Sequence, residues 1–156
     1  MEDKGYTRAK GLAYRYIAAR PRSLAELVSY LKKKEILQDY ISLIVEDLKG
    51  YGYIDDRKFA ATYARYLLQT KGLSRYALRY ELKRKGVSEA DIEGGLEELF
   101  GGVDAENEEE VALRIAKRKL ESMKGLDREK ARKRVTDYLR RRGYSFGTVN
   151  KILRGL

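Results

Sequence analysis

The 156-residue chain repeats one pattern of apolar and basic residues at intervals of about fifty residues. The corresponding apolar positions of the three copies are Leu27, Leu31 and Ile36, then Leu78, Leu82 and Val87, then Val135, Leu139 and Tyr144. A fixed period of this length is typical of an array of one supersecondary unit. Stacked units of this kind offer extended surfaces rather than deep pockets. The repeat therefore favours a binding protein over an enzyme.

Helix start and stop signals divide each copy into three helices. Ser23 and Ser74 precede apolar helical patterns as capping residues, and Asp127 holds the same place in the third copy. Gly86 and Gly143 follow basic residues, where glycine commonly ends a helix. No alternation of period two is sustained, so the pattern predicts an all-α fold, an elongated and curved array of three tandem three-helix repeats. The predicted repeats span residues 6–50, 51–100 and 106–156.

Two places depart from the shared pattern. Glu35 stands where the other copies have Gly86 and Gly143, and a left-handed backbone costs a residue with a Cβ atom about 1 kcal/mol. The first copy is therefore expected to turn differently there, or to extend its middle helix. Gly94 and Gly95 lie inside a predicted helix, where each glycine costs about 1 kcal/mol relative to alanine. Close packing against another helix is the favoured interpretation, and a pliable joint is the other.

The composition excludes several kinds of chemistry. The chain contains no cysteine and no histidine. It therefore has no disulfide, no thiolate nucleophile and no imidazole base, and we expect neither a cofactor nor a metal site. No apolar run has the length of a signal peptide or a membrane span, so we expect a cytoplasmic protein.

Charge is distributed unevenly along the chain, whose net charge is +10. Residues 1–85 carry a net charge of +9 and residues 111–156 a net charge of +11. Residues 86–110, the acidic belt, carry ten acidic side chains and no lysine or arginine. The two basic arms suggest an anionic partner, most often a nucleic acid. The acidic belt suits a protein partner with a basic face.

A cluster of three cations closes the middle helix of every repeat. The basic clusters are Lys32, Lys33 and Lys34, then Lys83, Arg84 and Lys85, then Arg140, Arg141 and Arg142. One or two cations at the end of a helix are explained by the favourable interaction with the helix dipole. Three cations at the end of every middle helix are more than this interaction explains. We expect the clusters to contact phosphates or an acidic partner, together with Arg75 and Arg79, which each precede a tyrosine. At least two arginines of the third cluster are expected to be free to meet carboxylates or phosphates, because three adjacent side chains cannot all face the core.

Two further groups have both a structural and a functional interpretation. Asp55 and Asp56 form a pair of carboxylates, but their place before a predicted helix favours capping over catalysis. The chain also has 13 tyrosines, a residue type that can stack on nucleic-acid bases. Core packing is favoured for the four whose spacing matches a buried face, which are Tyr63, Tyr66, Tyr80 and Tyr138.

Several short motifs match, in order, those of a known family. They are Arg22-Ser23 with Glu26-Leu27, Gly52-Tyr53-Ile54-Asp55-Asp56 with Phe59-Ala60 and Tyr63, Lys71-Gly72, Leu82-Lys83 with Gly86-Val87, and Arg141-Arg142-Gly143-Tyr144-Ser145. With these motifs the chain resembles the bacterial RecX regulatory-protein family over residues 12–156. The two aspartates followed by Phe59-Ala60 are the most specific part. Glu35 and the Gly94-Gly95 pair depart from the family pattern.

The resemblance implies three tandem three-helix repeats, no enzymatic activity and binding to the RecA recombinase. Members of that family lie in the groove of the RecA–DNA filament and usually lower its ATPase, strand-exchange and coprotease activities in recombination, DNA repair and the SOS response. We expect a monomer that also binds single- and double-stranded DNA with weak sequence specificity. The alternative is a stand-alone DNA-binding protein of helix-turn-helix-like repeats, although no helix shows the residues typical of base readout. A carboxylate–metal enzyme is the third possibility.

Overall fold

The computed structural model describes residues 3–156, and nine α-helices make up the regular structure within that range. They are α1 (Lys4–Ala19), α2 (Leu24–Lys33), α3 (Gln38–Gly50), α4 (Asp56–Lys71), α5 (Arg75–Arg84), α6 (Glu89–Gly101), α7 (Glu108–Glu121), α8 (Arg128–Arg141) and α9 (Phe146–Arg154). No strand occurs among the described residues. Each copy of the sequence repeat supplies three helices, which confirms the all-α tandem-repeat fold. The repeat boundaries and the curved, elongated arrangement stay predictions.

The middle helix of each repeat begins at the residue predicted to cap it. Ser23 and Glu26 form a capping box, in which the Ser23 hydroxyl accepts a hydrogen bond from the Glu26 N–H (3.1 Å) and the Glu26 carboxylate accepts one from the Ser23 N–H (3.0 Å). The side chains of Ser74 and Asp127 each accept a bond from the N–H three residues on, at 3.1 Å and 3.4 Å. These bonds satisfy N–H groups that the start of a helix leaves without partners.

The helices pack into two compact units, and the division between them passes through α4, α5 and α6. The first unit comprises Met1–Tyr63 and Leu82–Gly95, and the second comprises Ala64–Glu81 and Leu96–Leu156. The core around α1–α3 contains Ala9, Ala13, Leu27, Leu31, Ile41, Ile44 and Leu48. The core around α7–α9 contains Ala112, Ala116, Val135, Leu139, Tyr144, Val149 and Ile152. Each unit therefore has apolar residues at helical spacing buried in a core of its own.

The turn after the middle helix has the same backbone in all three repeats. Glu35 adopts a left-handed conformation (φ 59°), as Gly86 (φ 77°) and Gly143 (φ 90°) do. In each turn, the N–H of the following residue donates a hydrogen bond to the carbonyl five residues earlier, at 3.1–3.2 Å. This pattern is the Schellman motif. The expectation that the first repeat turns differently at Glu35 is therefore wrong.

Neighbouring side chains explain why two of these turns have glycine and one does not. A Cβ atom on Gly86 would lie 2.4 Å from the Cβ of Ala25, and one on Gly143 would lie 2.4 Å from the Oγ of Ser74. These distances leave no room for a side chain. Glu35 is exposed, so it carries only the backbone strain of the left-handed conformation.

The Gly94-Gly95 pair lets α6 pack closely against α4. A Cβ atom on Gly95 would lie 2.5 Å from the Cβ of Ala60, and one on Gly94 would lie 2.9 Å from the Nε of Arg57. Helix α6 continues through both glycines without interruption. The close-packing interpretation of the pair is confirmed.

Two tyrosines that were predicted to lie in the core are instead exposed. Tyr66 is 56% exposed and Tyr80 is 61% exposed. In α5 the buried side is marked by Leu78 and Leu82, and Tyr80 projects from the opposite side, because successive residues are rotated by about 100°. The other two tyrosines that were predicted to lie in the core, Tyr63 and Tyr138, are half-buried.

Candidate functional site

In the first unit, two hydrogen bonds fasten the second repeat to the start of α2. The Ser23 hydroxyl donates to the carbonyl of Lys85 (2.6 Å), and the Leu24 N–H donates to the Asp56 carboxylate (2.8 Å). Burial raises the pKa of Asp56, and the hydrogen bond from Leu24 offsets this rise only in part. The loop that carries the second basic cluster is therefore held beside the first turn of α2.

In the second unit, equivalent bonds fasten the third repeat to the start of α5. The Ser74 N–H donates to the carbonyl of Arg142 (2.9 Å), and the Arg75 N–H donates to the Glu108 carboxylate (3.0 Å). Corresponding positions of the repeat are used in both units. The third basic cluster is therefore held beside the first turn of α5.

Asp55 and Asp56 have different structural roles. Asp55 caps its own helix, since its carboxylate accepts a hydrogen bond from the Lys58 N–H (3.1 Å). Asp56 instead accepts from Leu24, at the start of another helix. Capping was predicted for both residues, but the link to the preceding repeat was missed. The sequence signal for this link was the acidic residue Glu108, which occupies the same place at the start of α7 as Asp56 does at the start of α4.

A shallow groove in the first unit brings together cations of two basic clusters. Its lining includes Tyr16, Glu26, Tyr30, Lys33, Arg84 and Lys85. Lys33 comes from the first cluster and the two other cations from the second. Lys33 and Arg84 are exposed, whereas Lys85 is half-buried. The groove therefore presents positive charge next to aromatic rings.

Glu26 holds one of these cations in place. Its carboxylate accepts hydrogen bonds from the Lys85 Nζ (2.9 Å) and from the Arg20 guanidinium (3.1 Å). Burial alone would raise the pKa of Glu26, but the hydrogen bonds from the Ser23 N–H, Lys85 and Arg20 outweigh it and hold this pKa below its ordinary value. Lys85 is therefore paired within the chain, and Lys33 and Arg84 are the exposed cations of the groove.

The aromatic part of the groove is a stack of two tyrosines. The rings of Tyr16 and Tyr30 lie 4.0 Å apart and are nearly parallel, at 4°. The guanidinium of Arg22 lies 3.9 Å from the centre of the Tyr16 ring, and the Nζ of Lys34 lies 5.7 Å from that of Tyr30. Lys32 is exposed on the last turn of α2. The sequence pattern missed this stack because its two rings come from different helices.

The remaining cations around α5 are partly engaged within the chain. Lys83 forms an ion pair with Glu89 (2.5 Å), in which both side chains are exposed. The guanidinium of Arg75 lies 5.5 Å from the centre of the Phe100 ring. Arg79 is half-buried one turn further along the helix. These residues are weaker candidates for contact with a partner than the cations of the groove.

Arg142 acts mainly as a structural residue. Its Nε donates a hydrogen bond to the carbonyl of Lys71 (2.9 Å), and its guanidinium lies 3.6 Å from the centre of the Tyr138 ring. Its own carbonyl accepts the bond from Ser74. Arg142 therefore joins α8 to the segment between α4 and α5.

The other two arginines of the third cluster differ from each other. Arg140 donates to the carbonyl of Tyr144 (2.7 Å), and its guanidinium lies 3.8 Å from the centre of the Phe146 ring. The Arg141 side chain is exposed and makes no hydrogen bond or ion pair with residues 3–156. Both side chains are exposed, but Arg140 is engaged within the chain, and the contact of this cluster with carboxylates or phosphates stays a prediction.

Some carboxylates of the acidic belt form ion pairs or hydrogen bonds within the chain. Glu106 pairs with Arg65 (3.3 Å), and Glu109 pairs with Lys151 (2.7 Å). Glu108 accepts the hydrogen bond at the start of α5. These three carboxylates stabilise the second unit in addition to any contact with a partner.

Two kinds of feature do not occur in the part of the chain that the structure describes. No three side chains of histidine, cysteine, aspartate or glutamate come together as possible metal ligands there. None of its helices has both the length and the apolar character needed to cross a bilayer.

The chain matches, in order, the models of three domains of one family. They are the first three-helix domain of RecX at residues 9–48, the second at residues 55–96 and the third at residues 106–153. Together these matches cover most of the described sequence.

Proteins named regulatory protein RecX are similar over nearly the whole chain. The one from Streptomyces coelicolor is 34% identical over 146 residues, covering 94% of this chain and 76% of its own. The one from Thermobifida fusca is 30% identical over 149 residues, covering 96% and 78%. The crystal structure of RecX from Lactobacillus salivarius has the same fold, with a TM-score of 0.81 over 97% of this chain and 96% of that chain at 20% identity. The chain belongs to the RecX family of regulatory proteins.

Proposed function

We propose that this chain binds the filament that the RecA recombinase forms on DNA and restrains its ATPase, strand-exchange and coprotease activities. The observation that carries the proposal is the match to all three family domains, in order, between residues 9 and 153. Relatives that align with nearly the whole chain are named regulatory proteins. A regulator of this kind acts by binding, so we propose no enzymatic activity and no cofactor.

We assign the contact surface to the basic clusters together with Arg75 and Arg79. The assignment is supported by the exposure of Lys33 and Arg84 in one groove and by the exposure of Arg141 at the end of α8. Lysine and arginine bind phosphates and carboxylates, and arginine does so through two parallel hydrogen bonds. The surface therefore suits both DNA phosphates and acidic side chains of the recombinase.

Several modest contacts along one chain account for the proposed restraint. Once one contact has formed, the others become intramolecular and gain from a high effective concentration. A chain that touches several recombinase protomers at once then hinders the changes that each must make during ATP turnover. We propose that the chain does this as a monomer in the cytoplasm.

Sedimentation of the chain with recombinase filaments on poly(dT) tests the proposal, with a slowly hydrolysed ATP analogue to keep the filaments intact. We expect the parent chain to sediment with the filament. The double variant Lys33→Glu and Arg141→Glu should bind at least about tenfold more weakly, because each reversal replaces attraction by repulsion of about 1 kcal/mol or more. Both side chains are exposed, so the fold should be unaffected.

The matched control is the double variant Arg8→Glu and Lys117→Glu, which changes the net charge equally at exposed helix positions outside the clusters. We expect it to bind within about threefold of the parent, because contact geometry rather than net charge decides affinity. Equal weakening of both variants would show that the clusters are not the contact surface. A parent chain that stays in the supernatant, yet binds one DNA sequence tightly, would contradict the proposed function and favour the DNA-binding alternative.

A further inference from the structure

Two of the tyrosines lack a partner within the chain. Tyr76 is 75% exposed and Tyr80 is 61% exposed. Neither side chain has a ring contact, a cation contact or a hydrogen bond with residues 3–156, whereas each of the other eleven tyrosines has an interaction. Exposed aromatic side chains that lie together are a common feature of interaction sites.

These two side chains form a ladder on one face of α5. They lie four residues apart, so one ring stands about one helical turn above the other, with a rise of about 6 Å. The buried side of the helix is marked by Leu78 and Leu82 on the opposite face. We refer to Tyr76 and Tyr80 as the tyrosine ladder.

Positive charge lies on one side of the tyrosine ladder. Arg75 and Arg79 are also four residues apart, and each is rotated by about 100° from the tyrosine that follows it. They form a second row parallel to the rings. Both arginines are half-buried, and the guanidinium of Arg75 lies 5.5 Å from the centre of the Phe100 ring.

The third basic cluster lies on the other side. Ala77 follows Tyr76 on the helix, and a Cβ atom on Gly143 would lie 2.9 Å from the Cβ of Ala77. The loop that contains Gly143 begins at the end of α8, where Arg141 is exposed. The loop after α8 therefore packs beside the flank of α5 that lies away from Arg75 and Arg79.

The repeat fold does not require these tyrosines. Aligning the repeats on their shared buried positions, such as Leu31, Leu82 and Leu139, places Ala25 and Ser29 in the first repeat, and Lys133 and Asp137 in the third, where the second has its tyrosines. Aromatic residues thus occupy these two positions in the middle repeat alone. The difference points to a role in binding rather than in folding.

We propose that the tyrosine ladder binds single-stranded nucleic acid by stacking on two bases, while the flanking arginines hold the phosphates. Every base offers an aromatic face, so stacking tolerates any sequence, and exposed tyrosines are suited to it. The flanking cations match the charge of a phosphate backbone. Bases in a duplex are already stacked on each other and do not offer these faces. This inference deepens the proposed function, since it rests on that function for the biological role of the DNA.

Fluorescence anisotropy of a labelled 20-nucleotide oligo(dT) tests the proposal in the absence of recombinase. The double variant Tyr76→Ala and Tyr80→Ala should bind at least about tenfold more weakly than the parent, since stacking on each base contributes a severalfold gain in affinity. A plot of the logarithm of the binding constant against the logarithm of the salt concentration should have the same slope for this variant as for the parent, because tyrosine rings release no counterions. The affinity for a 20-base-pair duplex should not change.

Two control variants isolate the stacking contribution. Tyr76→Phe with Tyr80→Phe keeps both rings and should bind oligo(dT) within about threefold of the parent. Tyr51→Ala with Tyr53→Ala removes two other exposed tyrosines, both in the loop after α3, and should also leave the affinity unchanged. Thermal melting should show that the alanine variants of the ladder fold like the parent, because both side chains are exposed.

Two results would overturn the proposal. The first is parent-like affinity of the alanine variant of the ladder for oligo(dT). If that variant also binds recombinase filaments more weakly, the ladder is a protein contact. The second is a phenylalanine variant as weak as the alanine variant, which would assign the effect to the hydroxyl groups. Because DNA alone is the ligand, failure of the ladder leaves the proposed regulation of RecA standing, and loss of that regulation leaves the ladder standing.

Discussion

Replacing Gly86 by alanine tests how closely the second repeat packs against α2. The new Cβ atom would lie 2.4 Å from the Cβ of Ala25, which belongs to a helix and cannot rotate away. Overpacking of this kind costs about 1–3 kcal/mol. Alanine in the left-handed backbone conformation of Gly86 (φ 77°) adds a further destabilisation of about 1 kcal/mol. The lower conformational entropy of the unfolded alanine variant offsets about 0.5 kcal/mol of this loss. We expect the free energy of unfolding to fall by about 1.5–3.5 kcal/mol.

Urea unfolding followed by circular dichroism at 222 nm measures this change, and two variants separate its causes. Gly86→Asn relieves most of the backbone strain, because asparagine tolerates the left-handed conformation, but it keeps the clash with Ala25. We expect it to cost about 2 kcal/mol. Glu35→Ala changes an exposed residue with the same backbone conformation and should cost less than about 0.5 kcal/mol. If Gly86→Asn unfolds like the parent, the contact with Ala25 does not determine the glycine and the packing argument is wrong.

Three further predictions concern stability and charge. Arg142→Ala should lower the free energy of unfolding by about 2 kcal/mol through loss of its hydrogen bond to Lys71 and its ring contact, whereas Arg141→Ala should change it by less than about 0.5 kcal/mol in the same urea assay. Because the pKa of Glu26 is lowered on folding, its contribution to stability is complete above the ordinary value of 4.5 and is lost as the pH falls below it. Glu26→Gln should therefore flatten the loss of stability in acid, and an unchanged acid profile would contradict that assignment. Binding of the chain to unrelated DNA sequences should weaken steeply with salt, and an affinity independent of salt would argue against phosphate contacts.

The helices were predictable because their signals are local. A serine or aspartate ahead of an apolar pattern, and a glycine after a run of cations, depend on neighbours within a few residues. The caps at Ser23, Ser74 and Asp127 follow from that logic, and each accepts the expected hydrogen bond. The period of about fifty residues also predicted the tandem repeat, since one unit cannot bury its own apolar face.

The functional surface was less predictable because it depends on contacts between distant parts of the chain. Arg140, Arg141 and Arg142 look alike in sequence, yet only Arg141 lacks a contact among the described residues. The difference comes from the carbonyl of Lys71, about seventy residues earlier, which accepts the hydrogen bond from Arg142. Helical spacing alone also placed Tyr80 in the core, because the spacing does not show which side of α5 another helix covers.

Recombinase ATPase on single-stranded DNA tests most directly the central claim that this chain restrains the RecA filament. Preformed filaments hydrolyse ATP at a steady rate, and the chain is then added at increasing concentration. We expect the rate to fall with the amount of chain added, and the Lys33→Glu and Arg141→Glu variant to require at least about tenfold more chain for the same effect. A rate that stays constant at concentrations where the chain is bound to the filament would contradict the claim.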